Sequence, residues 1–300
     1  MKSYSTKDYV NFYLKKFIKN KSLIFGQNIL AGSRVSGLSN GFEKIKNVSI
    51  FNTQNSESSL VGLGMGALIS GNSALYIAKQ LDFILLSMDH LVNTYNSAIL
   101  QNSKGSFVIV TYIVDTDTEG PQSRLNCLSE FASISKINCR YLIFKKDIEK
   151  NINLALKKKG MTILCLSQQF GNKKKYDLFN DFKKIELDKD GKYVRYKFGK
   201  KRTVVCYGFS IYEVDNFIKK KYPHSDLFII TDPLNSNLNQ IIRSAKMTKN
   251  VILFDNSSSK NKHIYYLENR LAKYKILIEK KIFNESINDL RPNKFKNKII

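Results

Sequence analysis

Two rhythms of apolar residues alternate along this chain. Short continuous apolar runs read as buried strands, and between them apolar residues return every three or four positions, as on one face of a helix. Tyr9, Phe12, Tyr13, Phe17 and Ile18 predict a helix over residues 6–19, and SLIFGQNI (22–29) a strand ending at Gly26. Residues 34–44 read as a helix ending near Phe42, and NVSIFN as the next strand. A glycine-rich helix then opens in NSESSLVGLGMGALISG (55–71), with Glu57 at its start, and leads to strand SALYIAK (73–79). A long amphipathic helix is predicted from Phe83 to Leu100, then a buried strand in GSFVIVTYIV (105–114). After the polar loop DTDTEGPQSR (115–124) come helix NCLSEFASI, strand CRYLIF (139–144), a helix over 147–158 and strand MTILCLS (161–167). Strands alternating with helices in this way predict a mostly parallel sheet with helices on both faces.

Residues 168–201 break the pattern with a highly charged stretch that has room for one hairpin. Beyond it the alternation resumes: TVVCYG, DLFIITD, NVILFDN and KILIEKKI as strands, with helical segments between them. The expected fold is therefore α/β in two domains: residues 1–170, a linker with a hairpin over 171–201, and a smaller domain over 202–300. The basic tail after Arg291 is expected to be loose.

Composition narrows the picture. The 300 residues are 43% hydrophobic, enough for a sizeable core, and the formal net charge is +24. Such a charge suits a nucleic acid, an anionic membrane or a phosphate-bearing ligand. The basic triplets Lys157–Lys159, Lys173–Lys175 and Lys219–Lys221 are scattered, however, with no aromatic-interleaved binding motif beside them. They read as solvated surface rather than a polyanion site. The four cysteines have no metal-ligand spacing, and Cys139, Cys165 and Cys206 lie in or beside apolar strands as small buried hydrophobes. The polar N-terminus is unlike a signal peptide, and no apolar run reaches the roughly 18 residues a membrane span needs. A reduced, cytoplasmic protein is expected.

GLGMGA (62–67) satisfies a loose dinucleotide-binding pattern, but that fingerprint needs its first glycine in the turn directly after a strand. Here a polar stretch separates NVSIFN from Gly62, so the glycines fall inside the helix. Gly62 and Gly66, one turn apart, are expected to pack closely against a neighbouring element. Glu57 has two readings. It is an ordinary first-turn acid stabilised by the helix dipole, or a chemically tuned group at a strand end, where α/β sheets place their ligand crevices. Leu60, Met65 and an aromatic residue around it would raise its proton affinity. Phe83 also follows a strand end and could face the same crevice. The loop carrying Asp117, Glu119, Gln122 and Arg124 is either an active-site wall or plain surface. His90 reads as a surface or helix-packing histidine, and His224 and His263 as solvated.

The segment IFNTQNSESSLVGLGMGALISGNSALYIAKQLDFILLSMDHLVN (50–93) resembles the beta subunit of thiamine-diphosphate-dependent 2-oxo-acid dehydrogenases. The likeness lies in the Ser-Glu pair after a strand, the small-residue helix, and Asp89-His90-Leu91-Val92-Asn93 on an aromatic-led helix. It continues through EGPQSRLNCLSEF (119–131), and residues 190–208 are similar to the start of a transketolase-like C-terminal domain. The resemblance implies that Glu57 hydrogen-bonds the pyrimidine nitrogen of thiamine diphosphate, favouring the imino tautomer that removes the thiazolium proton. Phe83 would stack on the pyrimidine, and Leu60 and Gln122 would complete the cofactor-binding set. A 2-oxo acid would be decarboxylated and its remainder transferred. The diphosphate and Mg2+ motif has no counterpart here beyond Asp188-Lys189-Asp190-Gly191, so an alpha subunit is implied, in an alpha2beta2 heterotetramer. Ser123 stands where the family has a histidine, and Gln27-Asn28 replaces an acidic pair. Two alternatives remain: the C-terminal half of a split transketolase-like carboligase, or a non-catalytic basic scaffold on the same fold.

Overall fold

The structure, a computed structural model, describes residues 4–115, 128–172, 185–197, 199–234, 238–258 and 263–284. The chain divides into two compact units: residues 1–113 with 131–176, and residues 114–130 with 177–300. No helix among the described residues is long and apolar enough to cross a membrane.

The first unit holds a six-stranded parallel sheet. Its strands are β1 (Leu23–Gly26), β2 (Ser49–Asn52), β3 (Ser73–Gln80), β4 (Ser106–Ile113), β5 (Asn138–Tyr141) and β6 (Gly160–Ser167), in the order β2-β1-β3-β4-β6-β5. Period-two alternation assigns the two faces of each strand. Ile24, Leu75, Ile77, Val108, Val110, Leu164 and Leu166 share a buried cluster with Val10, Tyr13 and Leu14 of helix α1 (Thr6–Phe17) and with Ile148 and Ile152 of helix α5 (Lys145–Lys157). The residues between them in sequence, Phe25, Tyr76 and Phe107, stack with one another, with ring centroids 5.3 Å and 6.5 Å from Phe25. Over Phe107 lies helix α2 (Glu57–Ile69), at Gly64.

Two predicted helices are built differently. Residues 34–44 are not one helix: Arg34, Val35, Ser36 and Gly37 all take positive φ (47°, 51°, 56° and 84°), and a short 3-10 turn, Phe42–Lys44, follows. A run of left-handed residues is costly for L side chains and persists only where surrounding contacts hold it. Here α1 supplies those contacts. Lys7 Nζ donates to the Ser36 carbonyl (2.8 Å), Asn11 Nδ2 to that of Leu38 (2.7 Å) and Lys15 Nζ to that of Asn40 (3.2 Å). These donors recur every four residues, on one face of α1. The long helix from Phe83 to Leu100 is likewise broken, into a 3-10 segment (Leu81–Ser87), a π-helical turn (His90–Thr94) and helix α3 (Tyr95–Leu100); helix α4 (Leu128–Ser135) precedes β5.

The second unit contains hairpin strands β7 (Ile185–Leu187) and β8 (Tyr193–Lys197), with parallel strands β9 (Arg202–Tyr207), β10 (Ser225–Ile230), β11 (Asn250–Ser258) and β12 (Leu277–Asn284). Their order is β12-β11-β9-β10-β8-β7, and the hairpin joins antiparallel to β10. Helices α7 (Asn239–Thr248) and α8 (His263–Ala272) cover one face through Ile241, Ile242, Ala245, Ile264, Leu267 and Leu271. Helix α6 (Ile211–Lys221) brings Phe217 edge-on to Phe254 of β11, with ring centroids 6.1 Å apart. Asp188 spends its carboxylate on the hairpin turn, where Oδ2 accepts from the Asp190 and Lys192 amides. A buried polar network ties the hairpin to the sheet. Arg195 donates twice to Asp226 (2.9 and 2.6 Å), and Ser244 donates to the same carboxylate (2.6 Å). Cys139, Cys165 and Cys206 are buried, as their apolar strands led us to expect.

Candidate functional site

In an open parallel sheet, ligands bind outside the carboxyl ends of the strands, where consecutive connections leave in opposite directions. In the first unit that point lies beside β1, because β2 lies on one side of it and β3 on the other. Three segments leave the carboxyl edge here. Gln27 follows β1, Glu57 follows β2, and Phe83 follows β3 within the 3-10 segment.

Local interactions set each of them. Gly26 closes β1 so tightly against β3 that a β-carbon there would meet the Ile77 carbonyl, so only glycine fits without a shift. The Thr53 amide donates to the Gly26 carbonyl (3.0 Å), and the Leu30 amide donates to Asn52 Oδ1 (2.9 Å). These bonds tie the segment after β1 to the segment after β2. Glu57 opens α2, and Ser56 before it makes no capping bond but donates instead to the Ser59 hydroxyl (2.8 Å).

Glu57 is half-buried, and its Oε1 accepts a hydrogen bond from Gln27 Nε2 at 3.2 Å. Oε2 has no hydrogen-bond partner among the described residues. Tyr76 is 2% exposed, and its phenol is held above its ordinary value by burial first and by the Glu57 carboxylate second. Leu60 and Met65 are buried on α2, while Phe83 is half-buried. The arrangement is a carboxylate steadied on one oxygen and available on the other, within electrostatic reach of Tyr76. Such a group can accept a hydrogen bond from, or exchange a proton with, a bound donor.

The structure changes the reading of the glycine segment. Gly66 faces open space, and Gly62 faces His90, whose Nε2 would lie 3.2 Å from an added β-carbon. The glycine pressed into the core is Gly64, against the Phe107 ring. His90 is half-buried, and its Nδ1 pairs with Thr94 Oγ1 (3.1 Å) inside the π-helical turn; Asn93 bonds Asp89 one turn back (2.7 Å). His224 is exposed. Gln122, with Asp117, Glu119, Ser123 and Arg124, lies outside the described residues. Gln27 is the residue that sequence reasoning missed as a partner of Glu57. It stood out there only as a departure from an acidic pair. Recognising that β1 and β2 are neighbours would have been needed to find it.

The second unit repeats the topology, with β9 between β10 and β11. At its carboxyl edge Asn256 Nδ2 donates to Glu213 Oε1 (3.0 Å) and to the Asp115 carbonyl (3.4 Å). Asp255, Asn256 and Tyr207 are buried, and burial raises the Glu213 carboxyl above its ordinary range, opposed by the Asn256 bond.

No protein-family model matches the chain, and no curated protein sequence matches it. Its fold is similar to that of a solved "split gene transketolase, inactive beta4 tetramer". The TM-score is 0.62 at 14% identity, over 95% of this chain and 91% of that one. The two α/β units with their mostly parallel, helix-flanked sheets thus form a transketolase-like fold.

Proposed function

We propose that this chain is the pyrimidine-holding beta subunit of a two-chain thiamine-diphosphate enzyme that decarboxylates a 2-oxo acid and transfers the remaining acyl or aldehyde fragment. The observation that carries the reading is Glu57, held on Oε1 by Gln27 with Oε2 unpartnered among the described residues, at the carboxyl edge that Phe83 also borders. On this reading Oε2 hydrogen-bonds the pyrimidine ring nitrogen. Phe83 stacks on the ring, and Leu60 and Gln122 complete its surroundings. When bound, the cofactor supplies the electron sink for decarboxylation. This chain orients the aminopyrimidine and holds charge at Glu57, while diphosphate and Mg2+ fall to an alpha subunit in an alpha2beta2 assembly. The transketolase-like fold favours a second reading, in which the chain is half of a split carboligase acting on a ketose phosphate.

The test is to purify the chain with a partner bearing a diphosphate-binding motif. Cofactor-dependent consumption of 2-oxo acids is then compared with that of ketose phosphates. Glu57→Gln is expected to lower turnover by about 10²–10⁴-fold, the range for a positioned acid–base group. Full turnover by that variant overturns both readings, and consumption of ketose phosphates alone selects the second.

A further inference from the structure

Gln27 stands at the junction that fixes Glu57. Its backbone follows Gly26, whose approach to the Ile77 carbonyl leaves no room for a side chain. The Thr53 amide clamps the Gly26 carbonyl to the segment leading into α2. Asn28, with φ of 54°, turns the chain immediately afterwards in a conformation asparagine tolerates. The half-buried Gln27 side chain therefore leaves a fixed base and ends on Oε1 of Glu57. The bond has one possible polarity, because an ionised carboxylate only accepts and the amide nitrogen only donates. A neutral donor steadies the carboxylate without competing for its proton.

We propose that Gln27 is a positioning residue for Glu57: its amide occupies Oε1, keeps the carboxylate a hydrogen-bond acceptor, and leaves Oε2 to a ligand that presents an N–H donor. The proposal rests on the cofactor reading of Glu57 for the ligand's identity, and on the structure alone for the Gln27–Glu57 bond. A carboxylate at position 27 would work only while protonated, since its O–H can then replace the amide N–H. Once ionised it places a like charge beside Glu57, and the two carboxyls titrate as a coupled pair.

Two measurements test this separately. In the 15N-labelled chain by itself, the Gln27 side-chain amide resonances are assigned by their loss in Gln27→Met. Glu57→Gln is expected to shift them while leaving those of the exposed Gln101 in place; no shift overturns the bond. In the enzyme reconstituted with its partner, Gln27→Met is expected to lower kcat about tenfold, in line with one hydrogen bond to a charged group. Gln27→Glu is expected to retain turnover at low pH and lose it as pH rises, along an alkaline limb at lower pH than any the native enzyme shows. A merely structural role would produce no such limb. Native kcat in Gln27→Met, or an unchanged pH profile in Gln27→Glu, overturns the positioning role even where Glu57→Gln is inactive. Full turnover by Glu57→Gln overturns the cofactor reading instead, whatever the amide resonances show.

Discussion

The two units place different chemistry at equivalent points of the same topology. In each sheet the first parallel strand lies between the second and third, as β1 does between β2 and β3, and β9 between β10 and β11. In the first unit the acid at that edge is half-buried and has one oxygen to spare. In the second, Asn256 bridges Glu213 and the Asp115 carbonyl, with Asp255 and Tyr207 buried around it. Topology supplies the same edge in both, and Glu57 and Glu213 each accept one hydrogen bond on Oε1, but Glu57 is half-buried whereas Glu213 is exposed. The buried member of the second edge is Asn256, whose amide serves stability by donating to the carbonyl of the buried Asp115.

Exchanging the losses tests this contrast most sharply. Glu57→Gln is expected to abolish most turnover yet cost only about 0.3–1 kcal/mol of stability, the worth of a first-turn acid. Asn256→Ala should show the opposite, lowering the denaturant-unfolding free energy by about 1–3 kcal/mol as a buried amide and its bond to the Asp115 carbonyl are lost. A large stability loss in the first variant, or none in the second, breaks the comparison.

The packing of α2 on the sheet gives a second measure. Gly64→Ala drives a methyl group into the Phe107 ring and is expected to destabilise by about 1–3 kcal/mol. Gly66→Ala, two residues on and facing open space, should stabilise α2 by about 0.5–1 kcal/mol. Thermal or chemical unfolding of the two variants should therefore move in opposite directions.

A smaller effect concerns Asp147 at the start of α5, far along the first sheet from Glu57. Its carboxyl is fully buried, and burial, opposed by bonds from the Ile143 and Phe144 amides, pushes it up from 3.8 to about 7. A raised carboxyl binds more protons folded than unfolded. Stability should thus decline as pH rises from about 4 to about 7, and Asp147→Asn should flatten that slope in unfolding measured across the range. Glu57→Gln should leave the slope in place.

Much of this fold was legible because its causes are local. The strand that reads SFVIVTYI is a nearly continuous apolar run, as suits a strand buried at every position. The first helix declares itself by the spacing of Tyr9, Phe12, Tyr13, Phe17 and Ile18, although the residues it buries are Val10, Tyr13 and Leu14. Residues 34–44 misled because their apolar spacing mimics a helix, whereas the left-handed run is held by donors on α1. The stretch after Phe83 misled for a related reason. Ile84, Leu91, Tyr95 and Ala98 are buried at helical spacing while Leu85, Leu86, Ile99 and Leu100 are exposed, so the one-face pattern is there, but it carries no mark of the 3-10 and π-helical turns that break the helix. Glu57 was legible as a helix-opening acid after a strand, and Gln27 as a substitution in a familiar pattern. The bond between them was not, since it joins residues from separate elements.

What the sequence determined by itself is the alternation of elements, the two-sheet α/β class, and the position of one carboxylate where a strand gives way to a glycine-rich helix. These follow from hydrophobic period and backbone preference within each segment. Only the tertiary structure decided which strands are neighbours, which glycine meets the core, and that Gln27 takes one oxygen of Glu57 and leaves the other. Those outcomes depend on crossover connections and side-chain packing between distant segments, and no local pattern encodes them.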